Sequence, residues 1–351
     1  MALHAAPTRR LDPLLRDSYA LCRRLHATHR PTYLAARLLL PPAIRPQVHA
    51  VVAFFAASDR VADVGDPRMR ERAFRHWSAA AVSELRRGES RHPLRRALID
   101  TTRRHGLEPE LFIRFLEATR ADSRGAAEFA TFDDLRVFLR GVSGTAALVG
   151  ARLLCTPSPE LDRLASLIGE VHQLIDIFCD FAEDLPQGRV YLPAEDMERC
   201  EVDRATVRRG VVGPELDALV RLQVSRAREL HLESTRITSL VPARFQPFAR
   251  AALEIHRRYL DVVDHLGSRV LREGASLSKA RLLRLALPHV LGGRLAGGTR
   301  RAGPGGHRPL GVSTWPAALQ RGDRARPAVD VDLFEDHRSR PSGRGGRRFR
   351  S

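Results

Sequence analysis

The most constrained stretch of this chain is QLIDIFCDFAED, residues 173–184. Asp176, Asp180 and Asp184 follow one another at intervals of four residues, so on an α-helix they share one face. The positions between them are mostly leucine, isoleucine and phenylalanine, which predicts that the rest of the helix is buried. A row of carboxylates on such a helix is costly unless cations neutralise it. The stretch therefore predicts an acidic helix face directed at a cationic ligand.

A second acidic pair lies upstream, where Asp59 and Asp63 follow the apolar run VHAVVAFFAA of residues 48–57. Taken alone, this pair also fits a solvated helix end. Together with the first stretch it indicates a metal site, because oxygen-only ligands suit Mg²⁺, which takes its other ligands from water and phosphate. Two such faces opposite each other would hold a Mg²⁺–diphosphate group. An apolar cavity below them would hold a hydrocarbon and shield a carbocation from water.

The chain up to residue 295 reads almost entirely as helix. Apolar residues recur at three- and four-residue spacing over residues 11–25, 46–64, 135–154, 161–184, 216–232 and 249–271,. Helix-breaking residues interrupt this pattern at residues 41–42, 66–67, 157–159, 186–188, 210 and 213–214,. Alternating strand patterns are missing from the sequence. We therefore predict a single all-α domain over residues 1–295 with a central cavity.

Composition narrows the class of protein. The chain has 351 residues, of which 43% are hydrophobic and 28% charged, which excludes wholesale disorder,. Four scattered cysteines make no disulfide framework and indicate a reducing compartment,. No apolar run is long enough to span a membrane, and the N-terminus has no signal-peptide core,. We expect a cytoplasmic protein, with membrane association kept as an alternative.

The formal net charge of +17 is large enough to suggest a nucleic-acid partner, but amino-acid composition accounts for part of it. The chain has a single lysine, Lys279, and no asparagine, while arginine is abundant. This bias is typical of a GC-rich genome, so part of the charge is compositional. We expect no specific nucleic-acid partner.

Residues 296–351 differ from the rest, with 12 arginines against 5 acids and many glycines and prolines. Such a segment cannot bury enough apolar surface to offset its ordering entropy, so we predict a disordered basic tail. A tail without a partner is the first interpretation, and a contact with anionic lipid or nucleic acid is the second.

Three motifs in this order resemble the squalene and phytoene synthase family over about residues 15–290. The segment HRPTYLAARLLLPPAIRPQVHAVVAFFAASDRVAD of residues 29–63 resembles its first motif. The segment FATFDDLRVFLRGVSGTAALVG of residues 129–150 resembles its kinked helix. The segment QLIDIFCDFAEDLPQGRVYLPAED of residues 173–196 resembles its second motif. Residues 251–287 resemble its closing helices.

The resemblance implies an isoprenoid (terpenoid) synthase fold and a Mg²⁺-dependent prenyltransferase, with Mn²⁺ as a substitute. The substrates would be two C15 or C20 isoprenyl diphosphates, joined head to head through a cyclopropyl intermediate. Carried over by position, the metal ligands and catalytic carboxylates would be Asp59, Asp63, Asp180 and Asp184, with Asp176 beside them. The substrate-binding residues would be Tyr33, Gln173, Asp176, Arg189 and Tyr191. For Tyr33 and Tyr191 the alternative is half-buried packing, and for Arg189 a surface charge at a helix end.

The chain departs from the family pattern at six positions. The family's usual residue is replaced at Val52 (tyrosine), Ala56 (arginine), Arg60 (an acid), Phe138 (tyrosine), Asp176 (asparagine) and Cys179 (arginine). The two missing arginines matter most, because a guanidinium beside a metal-bound diphosphate makes strong charge-assisted hydrogen bonds. They weaken the case for a second diphosphate site more than for the first.

Four functions are therefore kept. The first is a head-to-head synthase with a phytoene- or squalene-like product. We expect no NADPH requirement, because no GxGxxG follows a strand. The second is prenyl transfer from one allylic diphosphate to an aromatic acceptor. The third is an inactive or partner subunit, and the fourth is nucleic-acid binding through the basic tail.

Overall fold

The computed structural model describes residues 12–63, 67–123, 128–278, 280–282, 284–285 and 287–289. Within these ranges all regular secondary structure is helical, which confirms the predicted all-α class. The predicted domain boundary at residues 295–296 and the predicted basic tail lie outside the described residues. They stay predictions.

Fourteen α-helices are bounded within the described ranges, and four carry most of the argument below. These four are α3 (Arg45–Asp63), α8 (Thr145–Leu154), α9 (Pro159–Asp184) and α13 (Gln246–Leu266). The others are α1 (Pro13–Thr28), α2 (Arg30–Leu39), α4 (Pro67–Arg87), α5 (Pro93–His105), α6 (Pro109–Ser123), α7 (Phe132–Leu139), α10 (Ala194–Arg199), α11 (Arg204–Arg208), α12 (Pro214–Ser234) and α14 (Val270–Glu273).

Local sequence explains where these helices begin. Proline occupies the first turn of α1, α5, α9 and α12, where its missing N–H costs nothing and its fixed φ suits a helix. Side-chain caps add to this signal. Ser158 accepts a hydrogen bond from the backbone N–H of Leu161 at 3.1 Å, and Thr131 and Asp134 form a reciprocal capping box at the start of α7,.

Helix α9 lies at the centre of the second half of the chain. It packs against α8, α12, α13 and α14. Its apolar faces enter the main hydrophobic core through residues that include Leu174, Ile175, Ile177, Phe178 and Phe181. The sequence predicted this burial from the residues between the aspartates.

Helix α3 has the corresponding place in the first half, packed against α1, α4, α5, α6 and α8. Phe54 is fully buried and stacks on Trp77, whose indole N–H donates to the hydroxyl of Ser58 at 3.0 Å. Because α8 contacts both α3 and α9, it lies between the two aspartate-bearing helices.

The helix between α7 and α8 is kinked by one π-helical turn, Arg140–Gly144. The turn packs against α9 so closely that a Cβ at position 169 would lie 2.5 Å from the Cα of Gly144. Only glycine fits at position 169. The small-residue kink that the resemblance implied is thus present, and it locates α8 against the acidic helix.

By length and composition alone, the stretch Phe132–Leu154 could cross a membrane, with a mean hydropathy of 1.4. Apolar helices inside proteins pass the same test, and this stretch packs against α9,. The finding is weak support for a membrane span.

Candidate functional site

The two aspartate pairs end their helices at the same side of the molecule. Asp59 and Asp63 lie in the last turns of α3, and Asp180 and Asp184 in those of α9. Arg189 connects them, because its Nη1 lies 3.4 Å from Oδ1 of Asp184 and its positive charge lowers the pKa of Asp63. Burial is the larger influence on Asp63 and raises that pKa above its usual value,. The structure therefore brings one predicted acid of each motif, Asp63 and Asp184, into the neighbourhood of Arg189.

A tight turn aims Arg189 at these two acids. Residues Leu185–Gln187 form a 3₁₀ turn after α9, and Gly188 then takes a left-handed conformation with φ of 80°,. The backbone N–H of Arg189 donates to the carbonyl of Asp184 at 3.1 Å. The chain is thereby folded back so that the guanidinium faces the end of α9, which argues against the surface-charge alternative for Arg189.

Asp176 lies deeper along the same face of α9. Its Oδ2 is 3.4 Å from Nε2 of His172, and its side chain keeps 19% of its exposure. Burial nevertheless raises its pKa, while the nearby His172 lowers it to a smaller extent. Asp176 is therefore a largely enclosed carboxylate that keeps a small exposed fraction.

His172 continues into a row of imidazoles. Its ring stacks on that of the buried His256 at a centroid distance of 5.3 Å, and His231 lies 6.5 Å beyond. Burial lowers the pKa of both His256 and His231, which favours their neutral forms,. This row was not found from the sequence. The one signal was the spacing of His172, four residues before Asp176.

Gln173 is fixed by the π turn. The hydroxyl of Ser143 donates to its Oε1 at 2.5 Å, one turn from the close contact at Gly169. The amide nitrogen of Gln173 is the end of this side chain that remains for a ligand.

The two predicted tyrosines are in aromatic clusters. Tyr191 is buried and stacks on Phe138 at 5.7 Å and on Phe129 at 6.4 Å. Phe138 is one of the departures from the family pattern, and it extends this stack. The ring contacts of Tyr191 are those of a packing residue, as the alternative interpretation stated.

Tyr33 packs against two buried histidines, with ring centroids 5.7 Å from His26 and 5.4 Å from His49. His49 lies ten residues before Asp59 on α3, about 15 Å along the helix axis. Tyr33 thus contacts α3 about three helical turns before Asp59,.

The missing arginines leave small or apolar groups in their places. Ala56, where the family usually has arginine, is half-buried on α3, as is Val52, where it usually has tyrosine. Both lie on the helix face that carries Asp59 and Asp63. At Cys179 the backbone is covered instead. The N–H of Ala275 donates to the carbonyl of Phe178 at 3.2 Å, and Gly274 adopts φ of 63° directly against the carbonyl of Cys179. Sequence spacing could not reveal this contact, because about ninety residues separate its two sides.

The donors present fit the chemistry of a divalent cation shared with a substrate. They are carboxylates, as Mg²⁺ prefers. Within the described residues no three histidine, cysteine or acidic side chains converge as a metal site. A cation here would take one or two carboxylates from the protein and the remaining oxygens from phosphate and water, which is the usual arrangement for Mg²⁺.

Comparison with known proteins identifies the family to which the chain is similar. The family model described as squalene/phytoene synthase matches residues 26–281. The chain is 39% identical over 263 residues to the bifunctional protein CrtB/UppS of Streptomyces coelicolor, which covers 75% of this chain and 47% of that protein. The chain thus spans about half the length of this relative. It is 28% identical over 282 residues to a phytoene synthase of Arthrospira platensis, covering 75% of this chain and 89% of that enzyme.

Two solved structures share the architecture. A dehydrosqualene synthase in complex with a ligand superposes with a TM-score of 0.71 at 25% identity, covering 79% of this chain and 98% of that one. A squalene synthase from Alicyclobacillus acidocaldarius superposes with a TM-score of 0.67 at 26% identity, covering 73% and 97%. Both confirm the predicted fold.

Proposed function

The chain belongs to the squalene/phytoene synthase family, and we propose that it condenses two isoprenyl diphosphates head to head with release of diphosphate. The observation that supports the proposal is that Arg189 lies near one aspartate of each pair, Asp184 and Asp63. Such a cluster combines carboxylates for divalent cations with a guanidinium for a phosphate oxygen. This combination suits a metal-bound diphosphate leaving group.

Asp59, Asp63, Asp180 and Asp184 would hold Mg²⁺, with Asp176 beside them. When bound, Mg²⁺ would neutralise the negative charge that develops on the departing diphosphate. Arg189 would hold a phosphate oxygen through its guanidinium. The amide of Gln173, oriented by Ser143, would position the substrate beside the π turn.

The residues below the acids would protect the prenyl cation. Val52 and Ala56 offer no lone pair that could trap it, and α8 closes the space between α3 and α9 with mostly apolar side chains,. With little water present, the cation would react with a double bond of the second substrate and would seldom be captured by water. We expect a phytoene-like product that needs no NADPH.

The test is an incubation of the full-length protein with Mg²⁺ and C10, C15 or C20 prenyl diphosphates. Diphosphate release is followed continuously, and the extracted hydrocarbons are identified by mass spectrometry. A C30 or C40 hydrocarbon formed without NADPH supports the proposal. Asp59→Ala and Asp180→Ala should each lose most turnover with unchanged helix content by circular dichroism.

A second candidate, prenyl transfer to an aromatic acceptor, is favoured by the absence of arginine at Ala56 and Cys179. One diphosphate site would suffice for it. Slow hydrolysis of a single substrate to the prenyl alcohol, with no C30 or C40 product, would favour this candidate over the first.

Ala56→Arg should tighten diphosphate binding in either case if that position is close to the ligand, and an unchanged affinity would show that another residue fills the role. No Mg²⁺-dependent diphosphate release at all would favour the inactive-subunit alternative.

A further inference from the structure

A groove lies between the end of α12, the first half of α13 and residues 284–289, and none of the proposed site residues lines it. It has a volume of about 490 Å³ and is lined by apolar side chains at Leu253, Leu285 and Pro288. Residues 287–289 are the last that the structure describes. The C-terminal part of the chain therefore starts at the rim of this groove.

Two large apolar side chains stand beside this groove in solvent. Leu232 is 73% exposed and lies between the groove residues His231 and Thr235, and Leu287 is 42% exposed next to Pro288. Exposed leucines that flank an apolar groove indicate a contact surface rather than isolated surface residues. We call the groove together with these two leucines the groove face.

The groove face carries positive charge that the described acids do not neutralise. Three arginines line the groove, Arg250, Arg257 and Arg284, against one acid, Glu254. That acid is paired with Arg257 at 2.7 Å, and Arg250 donates to the neutral amide of Gln246 at 2.9 Å. Within the part of the chain that the structure describes, neither Arg250 nor Arg284 forms an ion pair. An occupant of this face must therefore combine negative charge with apolar side chains.

A segment of the chain itself has this composition. Residues 329–336 read VDVDLFED, and they hold four of the five acids of residues 296–351 and none of its 12 arginines. Two of the acids alternate with valines, and Leu333 and Phe334 follow as a pair of large apolar side chains. The rest of residues 296–351 has Asp323 as its one acid, so the groove arginines would repel it. We call residues 329–336 the acidic segment.

The acidic segment is near enough along the chain to reach the groove face. Thirty-nine residues separate His289 from Val329. A flexible chain of that length has a root-mean-square end-to-end distance of about 35 Å. Tethering at this range gives an effective concentration on the order of a millimolar. A contact too weak to hold a separate peptide would therefore still form within one chain.

We propose that the acidic segment occupies the groove face of its own chain. Its carboxylates pair with Arg250 and Arg284, and its apolar side chains pack along the groove against Leu253 and Leu285. The occupant thereby supplies the negative charge and the apolar surface that the groove face lacks. The contact is independent of the proposed reaction and uses none of its residues.

The experiment is photo-crosslinking within the full-length protein, in which p-benzoylphenylalanine replaces Phe334. Irradiation of a dilute solution should join residue 334 to peptides that contain Leu253 or Leu285, identified by mass spectrometry. The product should migrate as a single chain on a denaturing gel. The matched control carries the same probe at Phe349, the aromatic residue of the basic sequence RRFRS, and should give no crosslink to the groove.

Charge reversal tests the pairing. Arg250→Glu/Arg284→Glu should lower the yield of the groove crosslink about tenfold, and so should a high salt concentration in the wild type. Adding Asp330→Arg/Asp332→Arg to this double variant should restore the yield, because the attraction returns with the signs exchanged. The control Arg72→Glu/Arg86→Glu changes the net charge equally at exposed positions of α4 and should leave the yield unchanged.

Four results would each overturn the proposal. They are no groove crosslink from residue 334, an equal groove crosslink from residue 349, an undiminished yield in Arg250→Glu/Arg284→Glu, and a product that joins two chains. The last would assign the occupant to a second copy of the chain. Diphosphate release from a soluble C10 substrate should be the same in all these variants, which separates this test from that of the proposed function.

Discussion

At the scale of single residues, the role proposed for Arg189 is the most directly testable one in the site. It contacts Asp184 and lowers the pKa of Asp63, so it serves both helices at once. In Arg189→Met both carboxylates lose this positive charge. We expect the rate of diphosphate release to fall about 10- to 100-fold, the range for loss of a charge-assisted hydrogen bond.

The comparison variant is Arg189→Lys, which keeps the charge but not the planar fork. It should retain an intermediate rate, and circular dichroism should show the same helix content in both variants. A rate in Arg189→Met equal to that of the wild type would show that the guanidinium is an ordinary surface charge, as the sequence left open.

The sequence predicted which acids share a helix face but not what surrounds them in the structure. Asp176, Asp180 and Asp184 share a helix face because their spacing is local, and spacing is visible in one dimension. The proximity of Arg189 to Asp63 depends on the packing of α3 relative to α9, and the row from His172 to His231 joins three helices. Such contacts depend on tertiary structure, which a single sequence does not display.

At the scale of elements, the junction between the π turn and α9 depends on Gly169. A Cβ there would meet the carbonyl oxygen of Ser143 and lie 2.5 Å from the Cα of Gly144. Because backbone atoms cannot rotate away as a side chain can, Gly169→Ala should destabilise the protein by about 3 kcal/mol or more. Thermal unfolding followed by circular dichroism measures this.

The matched control is Gly150→Ala on α8, where a Cβ would have no neighbour within 4 Å. Alanine is a better helix former than glycine, so this variant should be neutral or more stable by up to about 1 kcal/mol. If the two variants unfold at the same temperature, the π turn is not pinned at Gly169.

The connection after α14 presses on the second aspartate motif in a similar way. Gly274 has φ of 63° and lies against the carbonyl of Cys179. Gly274→Ala should displace the turn of α9 that carries Asp180, so the concentration of Mg²⁺ needed for half-maximal rate should rise several-fold. It should also lose about 1–3 kcal/mol from the backbone alone, because φ of 63° with ψ of 160° is a conformation that glycine adopts and other residues rarely do,.

Gly106→Ala separates the two effects, because Gly106 has φ of 60° but no atom within 4 Å of its added Cβ. It should show the stability loss without a change in the Mg²⁺ dependence. An unchanged Mg²⁺ dependence in Gly274→Ala would mean that this segment does not support the metal-binding turn.

Helices were predicted best where they are most apolar. The predicted ranges 46–64, 161–184 and 216–232 agree closely with α3, α9 and α12. Helices α4 and α5 were not predicted individually, because arginines and histidines interrupt their apolar pattern. Only one face of each enters the core, for example through Phe74, Trp77, Leu94 and Leu98. The range 249–271 ran through Gly267, where the structure ends α13.

At the scale of the whole molecule, buried histidines make stability depend on pH. Nδ1 of His26 lies 2.8 Å from Nδ1 of His49. Burial lowers the pKa of His26 from 6.5 to about 3 and that of His49 to about 4, with smaller contributions from neighbouring positive charges. Below pH 6.5 the unfolded chain binds protons that the folded one refuses. Stability conferred by the neutral pair is therefore full above that pH and is lost as the pH falls towards 4.

We expect the free energy of unfolding to fall by a few kcal/mol, to order of magnitude, between pH 7 and pH 5. Burial raises the pKa of Asp63, Asp176 and Asp196. These three groups make the free energy of unfolding rise as the pH falls, but they do so at lower pH, nearer the ordinary pKa of a carboxyl. Urea unfolding at both pH values measures the change. His49→Gln keeps a hydrogen-bonding group and should reduce the pH dependence, and an equal slope in wild type and variant would contradict the assignment.

The glycine at position 169 also has a genetic consequence. Any single-base change in the first two letters of a glycine codon introduces a residue with a Cβ or a stop, so no neighbouring codon preserves the contact with the π turn. The chain contains one lysine, abundant arginine and no asparagine, a composition typical of a GC-rich genome. Many of its surface positions therefore accept the residues that such a mutational bias favours. Position 169 cannot follow such a bias, because every amino-acid substitution there adds a Cβ. In a library of random variants selected for folded protein, we expect only synonymous changes at this codon.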